Sequence, residues 1–127
     1  MTMPAFDWQT IEPRDEQTRK IAEQNDRFRT TWGADFTIPG HVVVTAGVHA
    51  LGFEVVALLM MKVMGFATFT EDNDPSGLHD FGVVTVCGVR VYWKIDLYDL
   101  DYAYGSEVPD DLTVTRRVLT LLLPSEY

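Results

Sequence analysis

One cysteine, Cys87, stands in 127 residues, so no disulfide can close within the chain. A lone thiol fits a reducing compartment, and the cytoplasm is the expected home. Histidine is almost as scarce. His41, His49 and His79 are scattered and no Cys–Cys pair accompanies them, which argues against a zinc site. Bases are outnumbered, ten against nineteen acids, for a formal charge of −9 at pH 7. A field of that sign repels phosphate and argues against direct binding of nucleic acid. The longest apolar run, Val55 to Met61, is far short of the roughly 20 residues that span a bilayer. The start, Met1 to Asp7, has no basic stretch followed by an apolar core, so no export signal is expected.

What is present is enough for a core. Apolar residues make up 46% of the chain, at a length suited to one domain. Residues 1–10 read as a loose arm and 11–127 as a single α+β domain. Glu12-Pro13-Arg14-Asp15-Glu16 opens a helix, with proline and acids where the first turn favours them. Ile21, Phe28 and Trp32 share a stripe, and Gly33 ends the pattern. This helix carries Arg14, Arg19, Lys20, Arg27 and Arg29, half of the bases; it either docks on the acidic half or presents a solvated face.

His41 to Thr45 is a β-branched strand. A second helix, about Phe53 to Phe66, has only Glu54 and Lys62 as charges. Its apolar surface runs nearly all round, so it is either buried on every side or meets another chain through Met60, Met61 and Met64. Period-two patterning follows, in Gly82–Val86 and Val89–Leu97, with Cys87-Gly88 as a two-residue turn. The last strand, Thr115 to Leu123, is apolar on both parities beyond Arg117, which predicts a central position with both faces covered. The expected fold is therefore α+β: two helices on a mostly antiparallel sheet of about four strands, in the order α-β-α-β-β-β.

The turn fixes a register. Val86 falls opposite Val89, Val84 opposite Val91 and Gly82 opposite Trp93, an apolar face on which Gly82 leaves room for the indole. The other face pairs Phe81 with Lys94 and His79 with Asp96, with Tyr98 beyond. A carboxylate facing a histidine suits a general base, and Lys94 beside them suits a developing anion. The plainer reading is a structural His–Asp hydrogen bond flanked by an ordinary ion pair. Asp80 would point to the apolar face unless a bulge re-aims it.

The preceding loop admits two readings. Asp72-x-Asp74-x-Ser76-Gly77 with Asp80 matches the first half of a calcium loop, but Val83 stands where a bidentate glutamate is needed. Asp74-Pro75-Ser76-Gly77 also satisfies a type I turn with no metal at all. Charge is concentrated downstream: residues 71–111 hold ten acids and only Arg90 and Lys94 as bases. Asp96, Asp99, Asp101, Glu107, Asp110 and Asp111 are the expected contacts for a basic protein partner. The bland alternative is that these acids serve solubility.

With those residues in hand, the chain resembles a bacterial domain-of-unknown-function family, number 3768, common in alphaproteobacteria. The resemblance rests on Val43-x-Thr45-x-Gly47-Val48, Asn73-Asp74-Pro75-x-Gly77-x-His79-Asp80-Phe81-Gly82, Trp93-Lys94-Ile95-Asp96-x-Tyr98-Asp99, Gly105-Ser106 and Arg117-Val118-Leu119-Thr120, and spans about Asn25 to Tyr127. It implies an accessory role on plasmids and prophages, and no reaction. The functional expectation is a small acidic protein that binds and blocks a host defence complex, of the anti-CRISPR or anti-restriction type, without a cofactor. The rival is a small enzyme using His79, Asp96 and Lys94, with a divalent cation at Asp72, Asp74 and Asp80 as an option. A third possibility is an antitoxin-like or structural homodimer through the helix at 53–66.

Overall fold

A computed structural model describes residues 13–127; the expected arm at 1–10 lies outside them. Helix α1 (Pro13–Thr30) is followed by β1 (Gly40–Val44), a short α2 (Ala46–His49) and α3 (Phe53–Met64). The hairpin β2 (Phe81–Val86) and β3 (Val89–Tyr98), then β4 (Arg116–Leu122) and a 3-10 turn (Pro124–Glu126), complete the chain. The sheet order is β1-β4-β3-β2, antiparallel except for the parallel pair of β1 with β4. The α+β expectation holds, with α2 as an addition. That turn of helix begins directly after the first strand, because the Thr45 hydroxyl accepts from the Val48 N–H as an N-cap. Among the described residues no helix is long and apolar enough to cross a membrane.

The hairpin register is the one parity dictates. Cys87 and Gly88 both have positive φ, 51° and 77°, in the two-residue turn. Val86 pairs with Val89, Val84 with Val91 and Gly82 with Trp93. A Cβ on Gly82 would lie 2.4 Å from Trp93 Nε1, so only glycine admits the fully buried indole there. Trp93 packs edge-on to Phe66 and sits under the Arg29 guanidinium, 5.0 Å from its centroid. Around it, Phe28, Leu59, Val63, Val91, Leu119 and Leu121 form a fully buried core between helices and sheet. Each such side chain contributes roughly 1.5–3 kcal/mol of transfer free energy.

β4 is central, as its composition predicts, but both faces are not covered. Its burial alternates, and Arg116, Val118 and Thr120 on the second face are only half-buried. That face carries Phe81 and Tyr92, over which the 3-10 turn lays Tyr127 in edge-to-face contact. Glu126 anchors the turn by accepting from Thr45 Oγ1 and the Gly47 N–H.

The attachment of α1 is half polar. Its buried side chains are Ile21, Ala22 and Phe28, but also Gln24, Asn25 and Arg29. Arg117, fully buried in β4, donates from Nε to Asn25 Oδ1 at 2.8 Å and from Nη2 to Gln24 Oε1 at 2.9 Å. Its Nη1 finds no acceptor among the described residues. Burial without a carboxylate pulls this guanidinium down to about 10. Asn25 also donates from Nδ2 to the Leu78 carbonyl at 2.9 Å, so one amide joins α1, β4 and the loop before β2. Asn25→Ala is expected to cost about 3 kcal/mol, because it strips an acceptor from a buried charge. A fall in Tm of roughly 10 °C would register it, and an unchanged Tm would refute the clamp.

Candidate functional site

The ladder between β2 and β3 ends at Phe81 with Lys94, and this changes the expected site. The Asp80 carbonyl still accepts from the Ile95 N–H at 2.8 Å. His79, however, has φ 53°, and the chain leaves the strand there. The imidazole is thereby carried to the helix side of the sheet instead of facing Asp96. Its Nδ1 lies 2.8 and 3.0 Å from the two carboxylate oxygens of Asp26 on α1. Its ring stacks on Phe69 with centroids 3.9 Å apart and planes 3° from parallel. Lys94 and Asp96 remain together on the opposite face, 2.9 Å apart, a contact that raises the lysine pKa. The expected trio of His79, Asp96 and Lys94 is therefore not assembled.

What forms around His79 is a junction. Asp26 also accepts from Arg29 Nη1 at 3.0 Å, while Arg29 donates to the carbonyls of Val63 and Phe66. Asp26 takes up the Nδ1 side of the ring, as the carboxylate of a general-base dyad does, and leaves the Nε2 side to the loop. Nε2 faces Asp74 Oδ2 at 3.6 Å, and one ring face is closed by Phe69. A groove of about 390 Å3 runs beside it, bounded by Thr18, Ala22, Asp26 and Gly77. The imidazole sits between two carboxylates with no nucleophile in hydrogen-bond contact among the described residues, a geometry suited to tying α1 to the 74–80 loop. The signal for Asp26 was present in the chain: Gln24 and Asn25 fall on the same helical stripe as Ile21 and Phe28, marking that side of α1 as a polar contact face.

Asp72, Asp74 and Asp80 are not brought together as ligands. Among the described residues no group of three or more His, Cys, Asp or Glu side chains is arranged to hold a metal ion. Asp74 instead serves the turn: its carbonyl accepts from the Gly77 N–H at 3.0 Å, and its Oδ1 from the His79 N–H at 3.2 Å. Asn73 ties the same loop by donating to the Thr68 carbonyl and accepting from the Thr70 N–H. Asp80 is half-buried and lies just before the ladder, which runs from Phe81 without a bulge. Burial raises its pKa, the charges of Asp74 and Asp96 add to this, and its own backbone N–H and His79 oppose it.

The six acids proposed for binding divide. Asp96 is engaged by Lys94. Asp110 accepts from Gln17 Nε2 at 3.1 Å and lies 3.8 Å from Lys20 Nζ, while its carbonyl takes Gln24. Asp111 accepts from the Thr113 N–H and hydroxyl, which lowers its pKa. Helix α1 thus docks on the acidic segment in part: Arg19 pairs within its own helix to Glu16 and Glu23, and Arg27 pairs to Asp35. Asp99, Asp101 and Glu107 remain at a groove of about 470 Å3 lined also by Leu100, Tyr104, Val108 and Val114. Tyr104 and Leu100 are 77% and 51% exposed. Asp99 organises this loop by accepting from the N–H groups of Asp101 and Ala103. Of the methionines expected at an interface, Met61 is exposed and Met60 and Met64 are half-buried. Cys87 is exposed at the hairpin tip.

Two outcomes follow from this geometry. His79→Ala is expected to lower Tm, by about 1–3 kcal/mol of lost charge-assisted bonding and stacking, and unchanged melting would refute the tie. For Asp80 the sign runs the other way. The folded chain holds its proton more tightly than the unfolded chain, so ionisation costs stability as pH rises through the raised folded value. Asp80→Asn should therefore raise Tm at neutral pH by roughly 2–4 °C, with the gain shrinking as the pH falls through the aspartate range. A lower Tm in thermal melts at neutral pH would contradict it.

No curated protein and no solved structure matches the chain. A family model described as a protein of unknown function, DUF3768, matches residues 44–126, which takes in β2, β3 and β4 but only Val44 of β1, together with the 74–80 loop and the acidic segment. The chain belongs to the DUF3768 family.

Proposed function

We propose that this protein acts by binding another protein through the acidic ledge at residues 99–114. The observation that carries the reading is the interleaving there of Asp99, Asp101 and Glu107 with the exposed side chains of Leu100, Tyr104 and Val108 around one groove. Solubility alone calls for charge, not for apolar groups this size beside it. Interfaces, in contrast, combine an aromatic anchor with a charged rim. Tyr104 supplies a large rigid contact at low entropic cost, and the three carboxylates steer a basic partner and set its orientation.

The finer form of the reading is an accessory protein of mobile DNA, acting in the bacterial cytoplasm. It would occupy the phosphate-binding groove of a host defence complex, offering carboxylates where nucleic acid offers phosphates. Its support is the kinship together with the sign of the ledge. An enzyme built on His79, Asp96 and Lys94 has no support in the geometry, since those groups lie on two faces of the sheet.

The test is capture of a partner from host lysate by the full chain, by Asp101→Lys/Glu107→Lys and by Tyr104→Ala. Both variants are expected to lose the partner by at least about tenfold, at positions too exposed to disturb folding. Raising the salt from about 0.1 M to 1 M should release it from the native chain. Capture indifferent to salt and to both variants would sink the reading.

A further inference from the structure

Helix α3 presents a second surface, and its sequence names its own complement. Leu59 and Val63 are fully buried, which fixes the rotation of the helix on the core. Away from these two residues Glu54, Leu58, Met61 and Lys62 are exposed, and they fall on a stripe about 100° wide, with Lys62 at the margin nearest the sheet. Leu58 and Met61 are 47% and 65% exposed, so this stripe carries apolar side chains between its charges. The only two charges of the helix lie at its margins, one four residues before Leu58 and one four residues after it.

That spacing is symmetric about Leu58, and it is the property a two-fold interface needs. In an isologous contact each residue i that meets j is repeated as j meeting i. Two α3 helices packed antiparallel with Leu58 on the axis place Glu54 of each copy against Lys62 of the other, twice. The antiparallel arrangement also opposes the helix dipoles favourably. Glu54 has no ion-pair partner among the described residues. Lys62 donates one N–H to the Thr85 carbonyl at 2.7 Å, which holds the side chain over β2 and leaves two donors. We infer that α3 is the interface of a homodimer, with Leu58 and Met61 at its centre and reciprocal Glu54–Lys62 pairs at its rim. An unrelated apolar partner would have no need of charges balanced about one leucine. The inference does not use the acidic ledge and stands or falls apart from it.

The experiment is sedimentation velocity on the full chain across a wide range of concentration. The native protein should pass from the monomer mass to twice that mass. Leu58→Glu should stay monomeric throughout, weakened by at least about a hundredfold, with unchanged circular dichroism. Glu54→Lys should weaken the dimer about tenfold, through two like-charged contacts. The exchange Glu54→Lys/Lys62→Glu should restore it, which a merely structural role for either residue would not. A native chain that is monomeric at every concentration overturns the inference. So does a dimer that tolerates Leu58→Glu, or an exchange variant no tighter than Glu54→Lys.

Discussion

The fold depends on how a guanidinium is accommodated where α1 meets the sheet. Arg117 is fully buried and has no carboxylate beside it, only the amide oxygens of Asn25 and Gln24. Dispersing a buried charge over neutral dipoles is a costly way to dock a helix, and the same burial lowers the pKa of Arg117. What it supplies is geometry. An apolar stripe tolerates sliding and rotation, whereas two amides that must meet one planar fork admit a single placement of α1. Once α1 is placed, Asn25 fixes the Leu78 carbonyl, Asp26 receives His79, and Arg29 reaches over Trp93 to the end of α3. One polar contact thus sets the position of the helix, the loop and the indole together.

The same contact shows what sequence reading could reach. The hairpin was legible because the Cys87-Gly88 turn fixes parity, and parity fixes every pair from Val86–Val89 to Phe81–Lys94. Gly82 beneath Trp93 followed from that register alone. His79 did not, since extrapolating the ladder two residues assumes extended backbone. A positive φ at a non-glycine residue is set by tertiary contacts, here Asp26, Phe69 and the Asp74 carboxylate receiving its N–H. The Asp26 partner was hidden for a related reason. It lies 53 residues away on a helix whose basic composition reads as solvated, and only the placement of Gln24 and Asn25 among apolar neighbours hints otherwise. The parallel pairing of β1 with β4 is equally non-local, because nothing in either strand records its partner's direction.

These placements reassign the most specific motif of the chain. In Asn73-Asp74-Pro75-x-Gly77-x-His79-Asp80-Phe81-Gly82, the asparagine ties the loop and the aspartate builds its turn. The histidine binds α1, and the final glycine admits Trp93. Each of these four residues has a structural task that accounts for its type. Asp80 alone is left half-buried with a raised pKa and a net electrostatic cost. A dense run of polar residues can therefore mark a joint between layers as readily as a centre of chemistry. The distinction is made by where the hydrogen bonds end: those around His79 end on other parts of the same chain.

The surfaces without internal partners lie elsewhere, and the sheet keeps them apart. Helix α3 leans on β2, where Lys62 holds the Thr85 carbonyl at one edge of the sheet. The acidic segment packs Tyr102 against His41 of β1, at the other edge. A two-fold contact through α3 therefore leaves the ledges of both copies open. Each ledge carries three carboxylates, of which Asp99 also holds its own loop, and a tyrosine, a small contact area by the standard of stable interfaces. Pairing two of them on one rigid dimer makes the second contact intramolecular, and apparent affinity rises without any new contact. Such an arrangement suits a partner that is itself repeated or two-fold, and it disfavours a single isolated basic site, for which the second ledge adds nothing.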